Sequence, residues 1–429
     1  MGADLEGTLL INVNFTGAQF DASTNFTDII LSNAIFDLAN LSGVNLTDTN
    51  PPEGATLTSS RFRGANLTNF GAEDVNFAGA DFSPHPNGTR TQMGGARFAD
   101  SELNGANLTQ VIAEGISLDG ADLSNTLFVG ADLSNANLAG AILDGANLTG
   151  GVQLDNAFVE KSTITGANFT GADLTGANFK EAAGDSLTNF TGANLTGASL
   201  EVGSFVGANF TNANLSNANL SKANFTDAIL IGATLTGVNA VDVIGLTVGT
   251  SGVDTITGTA AKDNIFGFEG NDSLNGLEGN DYLDGGTGND ALNGGSGNDY
   301  LLGGAGSDTL VGSGGNDTLQ GAGGNDVLTG GAGRDTIRYA SGDGADRVNG
   351  FVTGTGGDFL SFSGLAALDI RTVTTATGTN TQIRLSDGVT GNTGFGTGEL
   401  LVTLVNTTFT QANVSTNIVD SGATTFLFS

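Results

Sequence analysis

From Leu103 to Leu235 a large apolar residue stands at almost every fifth position. The series runs Leu103, Leu108, Leu118, Leu123, Phe128, Leu133, Leu138, Leu143 and Leu148. It resumes after a one-residue slip at Leu154, Ile164, Phe169, Leu174 and Phe179, and after another at Phe190, Leu195, Leu200, Phe205, Phe210, Leu215, Leu220, Phe225, Leu230 and Leu235. Ala usually stands two positions earlier, and Asn, Asp, Ser, Thr and Gly fill the remainder. A period of five is neither the 3.6-residue helix nor the alternation of a flat strand. One large and one small apolar residue per five, with polar residues between them, predicts a repeated unit that turns its apolar side chains inward and leaves Asn, Asp, Ser and Thr to water.

From Gly249 to Arg338 the period becomes nine. Gly285-Gly-Thr-Gly-Asn-Asp-Ala-Leu-Asn is followed without a gap by Gly294-Gly-Ser-Gly-Asn-Asp-Tyr-Leu-Leu and Gly303-Gly-Ala-Gly-Ser-Asp-Thr-Leu-Val, in a run of ten units. The sixth position is always Asp, and the eighth is Ile or Leu from Ile256 to Ile337. One fixed apolar position per nine predicts six residues of turn and three of strand in each unit of a solenoid. The glycines permit positive φ and leave main-chain carbonyls directed at one spot. A carboxylate at the same place in every turn, stacked at about 4.8 Å, is a column of repelling charges that needs a cation between its members. Oxygen-only ligands in a flexible geometry suit calcium rather than zinc or copper.

Both patterns resemble known families. Ala121-Asp-Leu-Ser-Asn, Ala131-Asp-Leu-Ser-Asn, Ala136-Asn-Leu-Ala-Gly and Ala146-Asn-Leu-Thr-Gly are similar to the pentapeptide-repeat family, Ala-(Asp/Asn)-Leu-x-x. That resemblance implies a right-handed quadrilateral β-helix with four pentapeptides per coil. The nine-residue units resemble the RTX nonapeptide, Gly-Gly-x-Gly-x-Asp-x-U-x with U apolar, which is tied to calcium in a parallel β-roll. In that family two nonapeptides make one coil, and the turns of repeats n and n+2 clamp one ion. Carried over, this implies two columns of turns and up to about eight calcium ions. The implied ligands are Asp254, Asp263, Asp272, Asp281, Asp290, Asp299, Asp308, Asp317, Asp326 and Asp335, with Gly276, Gly285, Gly294, Gly303, Gly312 and Gly321 opening their turns. The match is uneven. Thr250, Thr259, Phe268, Leu277, Ser313 and Ala322 replace the second glycine, Ala261 replaces a fourth, and the units from Asn280 to Val311 fit best.

The expected fold class is all-β: two consecutive parallel β-solenoids, a quadrilateral β-helix over 1–240 and an RTX β-roll over 249–338, with a C-terminal β cap over 339–429. After Arg338 the nine-residue phase is lost, and β-branched and aromatic residues from Asp358 onward are expected to close the open end of the roll. The last 45 residues hold no Lys or Arg and end Asp420-Ser-Gly-Ala-Thr-Thr-Phe-Leu-Phe-Ser, similar to the uncleaved export signals of RTX proteins that leave by type I secretion. Asn50-Pro-Pro-Glu-Gly and Ser83-Pro-His-Pro-Asn-Gly-Thr-Arg are expected to leave the first array as loops. The single histidine, His85, is expected to be an ordinary residue of the second loop.

Charge and composition narrow the function. The net charge is −32; residues 1–240 carry 24 acidic and 7 basic side chains, residues 241–429 carry 21 and 6. Binding to nucleic acid or to an anionic membrane is disfavoured for both parts. No apolar run reaches about 18 residues, so no membrane insertion is expected, and Met-Gly-Ala-Asp-Leu-Glu-Gly is not a Sec-type signal. With no Cys, an extracellular chain must be held by something other than disulfides, and ions serve. No His-Glu-x-x-His or Gly-x-Ser-x-Gly occurs, and no enzyme is expected. The expectation is an exported, calcium-binding structural solenoid of a bacterial cell surface (surface layer, sheath, filament or adhesin), folding on extracellular calcium, self-associating end to end, and meeting the type I secretion machinery during export. The alternatives are an acidic DNA-mimic binding module and a non-catalytic export module of a larger secreted protein.

Overall fold

The computed structural model describes residues 4–26, 29–46, 56–340, 342–363, 367–376, 378–385, 400–420 and 425–428. It divides into two units, Met1–Ile244 and Gly245–Ser429. The loop expected at Asn50-Pro-Pro-Glu-Gly lies outside the described residues, as do residues 386–399, 421–424 and 429 of the stretch resembling an export signal.

In the first unit every fifth residue makes one parallel bridge to the coil above. One column runs Asn107, Leu127, Asn147, Asn168, Asn189, Asn209, Ile229, and three others begin at Ile112, Ser117 and Glu102. The four columns are the four sides of a square coil, which from Gln92 onward takes 20 residues, lengthened to 21 at the two slips (Asp132↔Gln153, Asn168↔Asn189), and before that reaches 21 (Asp4↔Asn25) and 26 (Asn40↔Asn66, Asn66↔Gln92). The large apolar series points inward and is buried with the alanines that precede it. Phenylalanines stack along the axis, with Phe169, Phe190 and Phe210 at ring separations of 4.8 and 4.7 Å and Phe36, Phe62 and Phe82 at 4.9 Å each. Each corner needs one left-handed residue, which is why Gly, Asn or Asp recurs there, as at Gly115 (φ 65°), Gly120 (φ 70°) and Asn125 (φ 57°).

The polar positions are wired as well. Asp122 Oδ1 accepts from the Ser124 N–H (2.9 Å) and hydroxyl (2.6 Å), and Asn189 does the same for Thr191. The Asn-x-Thr and Asn-x-Ser triplets are therefore corner wiring produced by the repeat. Around Ser83–Arg90 the chain leaves the coil and returns, and His85 Nδ1 accepts from the Asn87 N–H at 3.3 Å.

The second unit contains β1 (Thr247–Val248), β2 (Thr255–Thr257), β3 (Asn264–Phe266), β4 (Ser273–Glu278), β5 (Tyr282–Thr287), β6 (Ala291–Ser296), β7 (Tyr300–Gly306), β8 (Thr309–Gly314), β9 (Thr318–Gly324), β10 (Val327–Ala332), β11 (Thr336–Ala340), β12 (Asp346–Asn349) and β13 (Phe359–Ser363). These are followed by β14 (Ala367–Thr375), β15 (Gly378–Leu385), β16 (Leu400–Leu404), the helix α1 (Gln411–Asn417), β17 (Ile418–Asp420) and β18 (Thr425–Phe428). Odd strands from β1 to β13 form one parallel sheet and even strands from β2 to β12 the other. Leu283 pairs with Leu301 and Leu292 with Leu310, so one coil is two nonapeptides. The eighth residues, from Ile265 through Leu301 to Ile337, form the buried core between the sheets.

The winding continues past Arg338: Leu328 pairs with Val348 and Ile337 with Leu360. Beyond it β16 pairs with β12 and β17 with β13, while β15 runs antiparallel to both β14 and β16, ending the repeat register. Leu368, Ile370, Ile383, Leu401, Val402 and Phe409 cover the end of the core. Buried Asn417 ties α1 to the last turn, donating to the carbonyls of Gly354 (3.2 Å) and Asp358 (2.8 Å). Among the described residues no helix is long and apolar enough to cross a membrane.

Candidate metal centre

Two glycine positions shape each turn. The fourth-position glycines Gly270, Gly279, Gly288, Gly297, Gly306, Gly315, Gly324 and Gly333 have φ between 132° and 146°, where a side chain is strained. A side chain on Gly288 would also run into the Gly270 carbonyl of the coil below. Second-position residues are left-handed at Gly286, Gly295, Gly304 and Gly331, and also where glycine is replaced, at Phe268 (φ 75°), Leu277 (φ 79°), Ser313 (φ 78°) and Ala322 (φ 64°). Those four replacements keep the shape of the turn despite the cost of the conformation.

The aspartates of each column are laced to one another. The Asp290 N–H donates to Asp308 Oδ1 at 2.8 Å, and the same link joins Asp254 to Asp272, Asp263 to Asp281, Asp272 to Asp290, Asp281 to Asp299, Asp299 to Asp317, Asp308 to Asp326 and Asp317 to Asp335 at 2.8–3.0 Å. A second ladder runs the other way from the fifth position. The N–H of Asn289 reaches back to Asn271 Oδ1 (2.8 Å), Asn298 to Asn280, Ser307 to Asn289 and Asn316 to Asn298.

From Asp272 to Asp335 one oxygen of each ladder aspartate is thereby used and the other is not. Oδ2 of Asp272, Asp281, Asp290, Asp299, Asp308, Asp317, Asp326, Asp335 and Asp346 is buried without a hydrogen-bond partner. A buried carboxylate oxygen left alone is costly, and a repeated one needs a ligand. A main-chain oxygen lies beside it. A methyl group placed on Gly285 would sit 2.5 Å from Asp290 Oδ2 and 2.6 Å from the Gly303 carbonyl oxygen, and one on Gly303 would sit 2.5 Å from Asp308 Oδ2 and 2.7 Å from the Gly321 carbonyl. The leading glycine leaves open a gap between turn n and turn n+2 that a side chain would fill. Among the described residues no three acidic or histidine side chains converge on one point, so each gap offers carboxylate and carbonyl oxygens together, the donor set of a hard cation. Without a cation, burial pushes the carboxyls of Asp281 and Asp308 up to about 7, Asp317 to about 6 and Asp346 to about 8, with like charges in the column adding to the effect. Asp272, Asp290, Asp299, Asp326 and Asp335 are raised for the same first reason.

The ten aspartates read from the sequence all stand in the ladder, but not alike. Asp254 and Asp263 have their Oδ2 occupied, each by the N–H of a threonine, Thr250 or Thr259, at 2.6 Å and by its hydroxyl at 2.9 and 3.0 Å. Gly276, Gly285, Gly294, Gly303, Gly312 and Gly321 each face the Oδ2 of their own turn. Two ladder members were not foreseen. Asp346 Oδ1 accepts from Asp326 at 2.9 Å and Asp358 Oδ1 from Asp335 at 3.0 Å, across spacings of 20 and 23 residues. The signal for them is Gly342-x-Gly344-x-Asp346-x-Val348 and Gly354-x-Gly356-x-Asp358-x-Leu360, the same turn displaced by insertions. Asp358 Oδ2 is satisfied by the Val352 N–H at 2.8 Å. Tyr339 lies buried at this end, its hydroxyl without a partner, near Asp326, Asp343 and Asp346.

Comparison with protein families agrees with both arrays. Pentapeptide repeats match residues 1–24, 22–50, 116–152, 151–180 and 204–239, and the RTX calcium-binding nonapeptide repeat matches 248–283, 266–301, 276–310 and 302–337. No curated protein matches the chain. Among solved structures the chain is similar to HetL, a pentapeptide repeat protein involved in heterocyst differentiation regulation from the cyanobacterium Nostoc sp. strain PCC 7120, at 28% identity over 52% of this chain and 89% of that one, with a TM-score of 0.35. Trypsin-treated QnrB1, a plasmid-mediated fluoroquinolone resistance protein, is 17% identical over 54% and 92%, with a TM-score of 0.31. A subunit of the mannuronan C5-epimerase of Azotobacter vinelandii is 22% identical over 40% and 80%, with a TM-score of 0.21.

Proposed function

We propose that this chain, pentapeptide repeats followed by RTX calcium-binding repeats, is an exported structural solenoid of a cell surface whose second unit is folded by calcium. The observation that supports it most is the run of buried, unpartnered Asp Oδ2 atoms from Asp272 to Asp346, with a main-chain carbonyl beside those of Asp272, Asp281, Asp290, Asp308 and Asp317. The ligand set is one carboxylate per turn, with the carbonyl of the glycine opening the turn two units on, as for Asp290 with Gly303. Ionised and without a cation, these carboxylates oppose folding; with one, binding energy becomes folding energy. A calcium-poor interior then leaves the second unit open for passage through a type I secretion channel, and a calcium-rich exterior closes it. The first unit repeats the same Asn, Asp, Ser and Thr surface coil after coil, which suits periodic self-contact in a filament, sheath or layer.

Calcium titration of the full chain, followed by far-ultraviolet circular dichroism, should show a cooperative gain of β signal; a flat response removes the reading. Electron microscopy with and without calcium tests assembly. Filaments or lattices support the surface role, and isolated particles that inhibit a topoisomerase would replace it with DNA mimicry.

A further inference from the structure

We infer that Thr250 and Thr259 stand in for cations, so that the first two turns of the roll are closed by the protein itself and Asp254 and Asp263 are not calcium ligands. The inference rests on the calcium reading of the ladder and limits where it begins.

Every other second-position residue up to Gly331 has positive φ, but the two threonines do not. A β-branched side chain resists the left-handed region, and the turn takes another path. On that path the threonine N–H and hydroxyl both point at the Oδ2 that the following turns leave bare. The hydroxyl also accepts from the chain two residues on, the Gly252 N–H for Thr250 and the Ala261 N–H for Thr259, both at 3.1 Å. An oxygen already holding two donors has no free lone pair left to offer an ion. The unpartnered Oδ2 series accordingly starts at Asp272, the first aspartate whose turn lacks the threonine. The inter-coil lacing is unaffected, because Asp254 and Asp263 still donate their N–H groups to Asp272 and Asp281. The closed turns thus present the first ion-dependent turns with an edge already in register.

Thr250 is one substitution from the regular turn: Thr250→Gly gives Gly-Gly-Ser-Gly-Val-Asp over 249–254. Bound calcium per chain, measured by equilibrium dialysis on the full protein, should rise by one ion in Thr250→Gly and stay at the wild-type number in Thr250→Ser, which keeps the hydroxyl. Asp254→Asn and Asp263→Asn should leave the number unchanged, whereas Asp290→Asn should lower it. These last three settle the matter even if Thr250→Gly fails to fold. Loss of an ion in Asp254→Asn equal to that in Asp290→Asn, or no gain in a folded Thr250→Gly, overturns the inference. A wild-type chain that binds no calcium at all overturns the calcium reading instead.

Discussion

Asp308 allows the cation to be separated from the hydrogen-bond lacing. Its Oδ1 accepts the Asp290 N–H at 2.8 Å, and its Oδ2 is bare. Asn keeps the first oxygen and places an N–H where the second stood, beside the Gly321 carbonyl; Ala removes both. With no cation present, burial raises the Asp308 carboxyl from 3.8 to about 7. At about 1.4 kcal/mol per pH unit, ionising it in the folded chain at neutral pH costs on the order of 4 kcal/mol. Asp308→Asn removes that penalty and should raise the cation-free Tm. In calcium the same change deletes a charged ligand, a contact of about 2–3 kcal/mol, which weakens the affected site about 30- to 150-fold. Asp308→Ala relieves the same penalty but leaves the buried Asp290 N–H alone, so without calcium it should be about 1–3 kcal/mol less stable than Asp308→Asn, and in calcium it loses the ligand as well. The assay is thermal melting of both variants in chelator, with calcium titration followed by circular dichroism. If Asn fails to raise the cation-free Tm and leaves the calcium midpoint unchanged, the Oδ2 atoms are not cation ligands.

Other expectations follow from the same geometry. In the calcium-free protein the folded carboxyls of Asp281 and Asp308 lie near 7 against an unfolded value of 3.8, so the native state binds more protons across that window. Their stabilising effect is complete below about pH 4 and is lost as pH rises through about 7. The second unit should therefore gain β signal when metal-free protein is taken from pH 8 to pH 5, and a loss of signal would contradict the burial argument. Gly303→Ala places a methyl group in the gap between Asp308 Oδ2 and the Gly321 carbonyl and should remove one bound ion by equilibrium dialysis, with the rest retained. In the first unit Arg61 and Arg63 both bind buried Asp37, and although burial opposes it, their hydrogen bonds hold its carboxyl below the ordinary range. Asp37→Ala should cost about 1–3 kcal/mol by denaturant unfolding, with no change in the calcium midpoint.

The two periods were legible because each repeat sends one large apolar residue inward, and that residue can occur at only one place in the unit. The period of nine also located the ladder, since Asp at the sixth position stays in phase as long as no residue is inserted. Asp346 and Asp358 escaped the period for that reason: insertions of two and five residues separate them from the register while the coil absorbs the slack. The inequality among the aspartates was hidden by a different effect. Phe268, Leu277, Ser313 and Ala322 look like worse departures from glycine than Thr250 and Thr259, yet they keep the left-handed turn. The threonines change both its path and its donors. Asn at the fifth position carries no signal until the coils are stacked, because its partner is 18 residues away.

The chain has no Trp, and its three tyrosines, Tyr282, Tyr300 and Tyr339, all lie in the second unit. Absorption and emission from tyrosine therefore observe the roll alone, while the phenylalanine-filled first unit stays dark at those wavelengths. Tyr339, buried beside the last carboxylates of the even column, is placed to sensitise a lanthanide substituted for calcium there. The molecule thus carries its own optical probe of when its ions arrive.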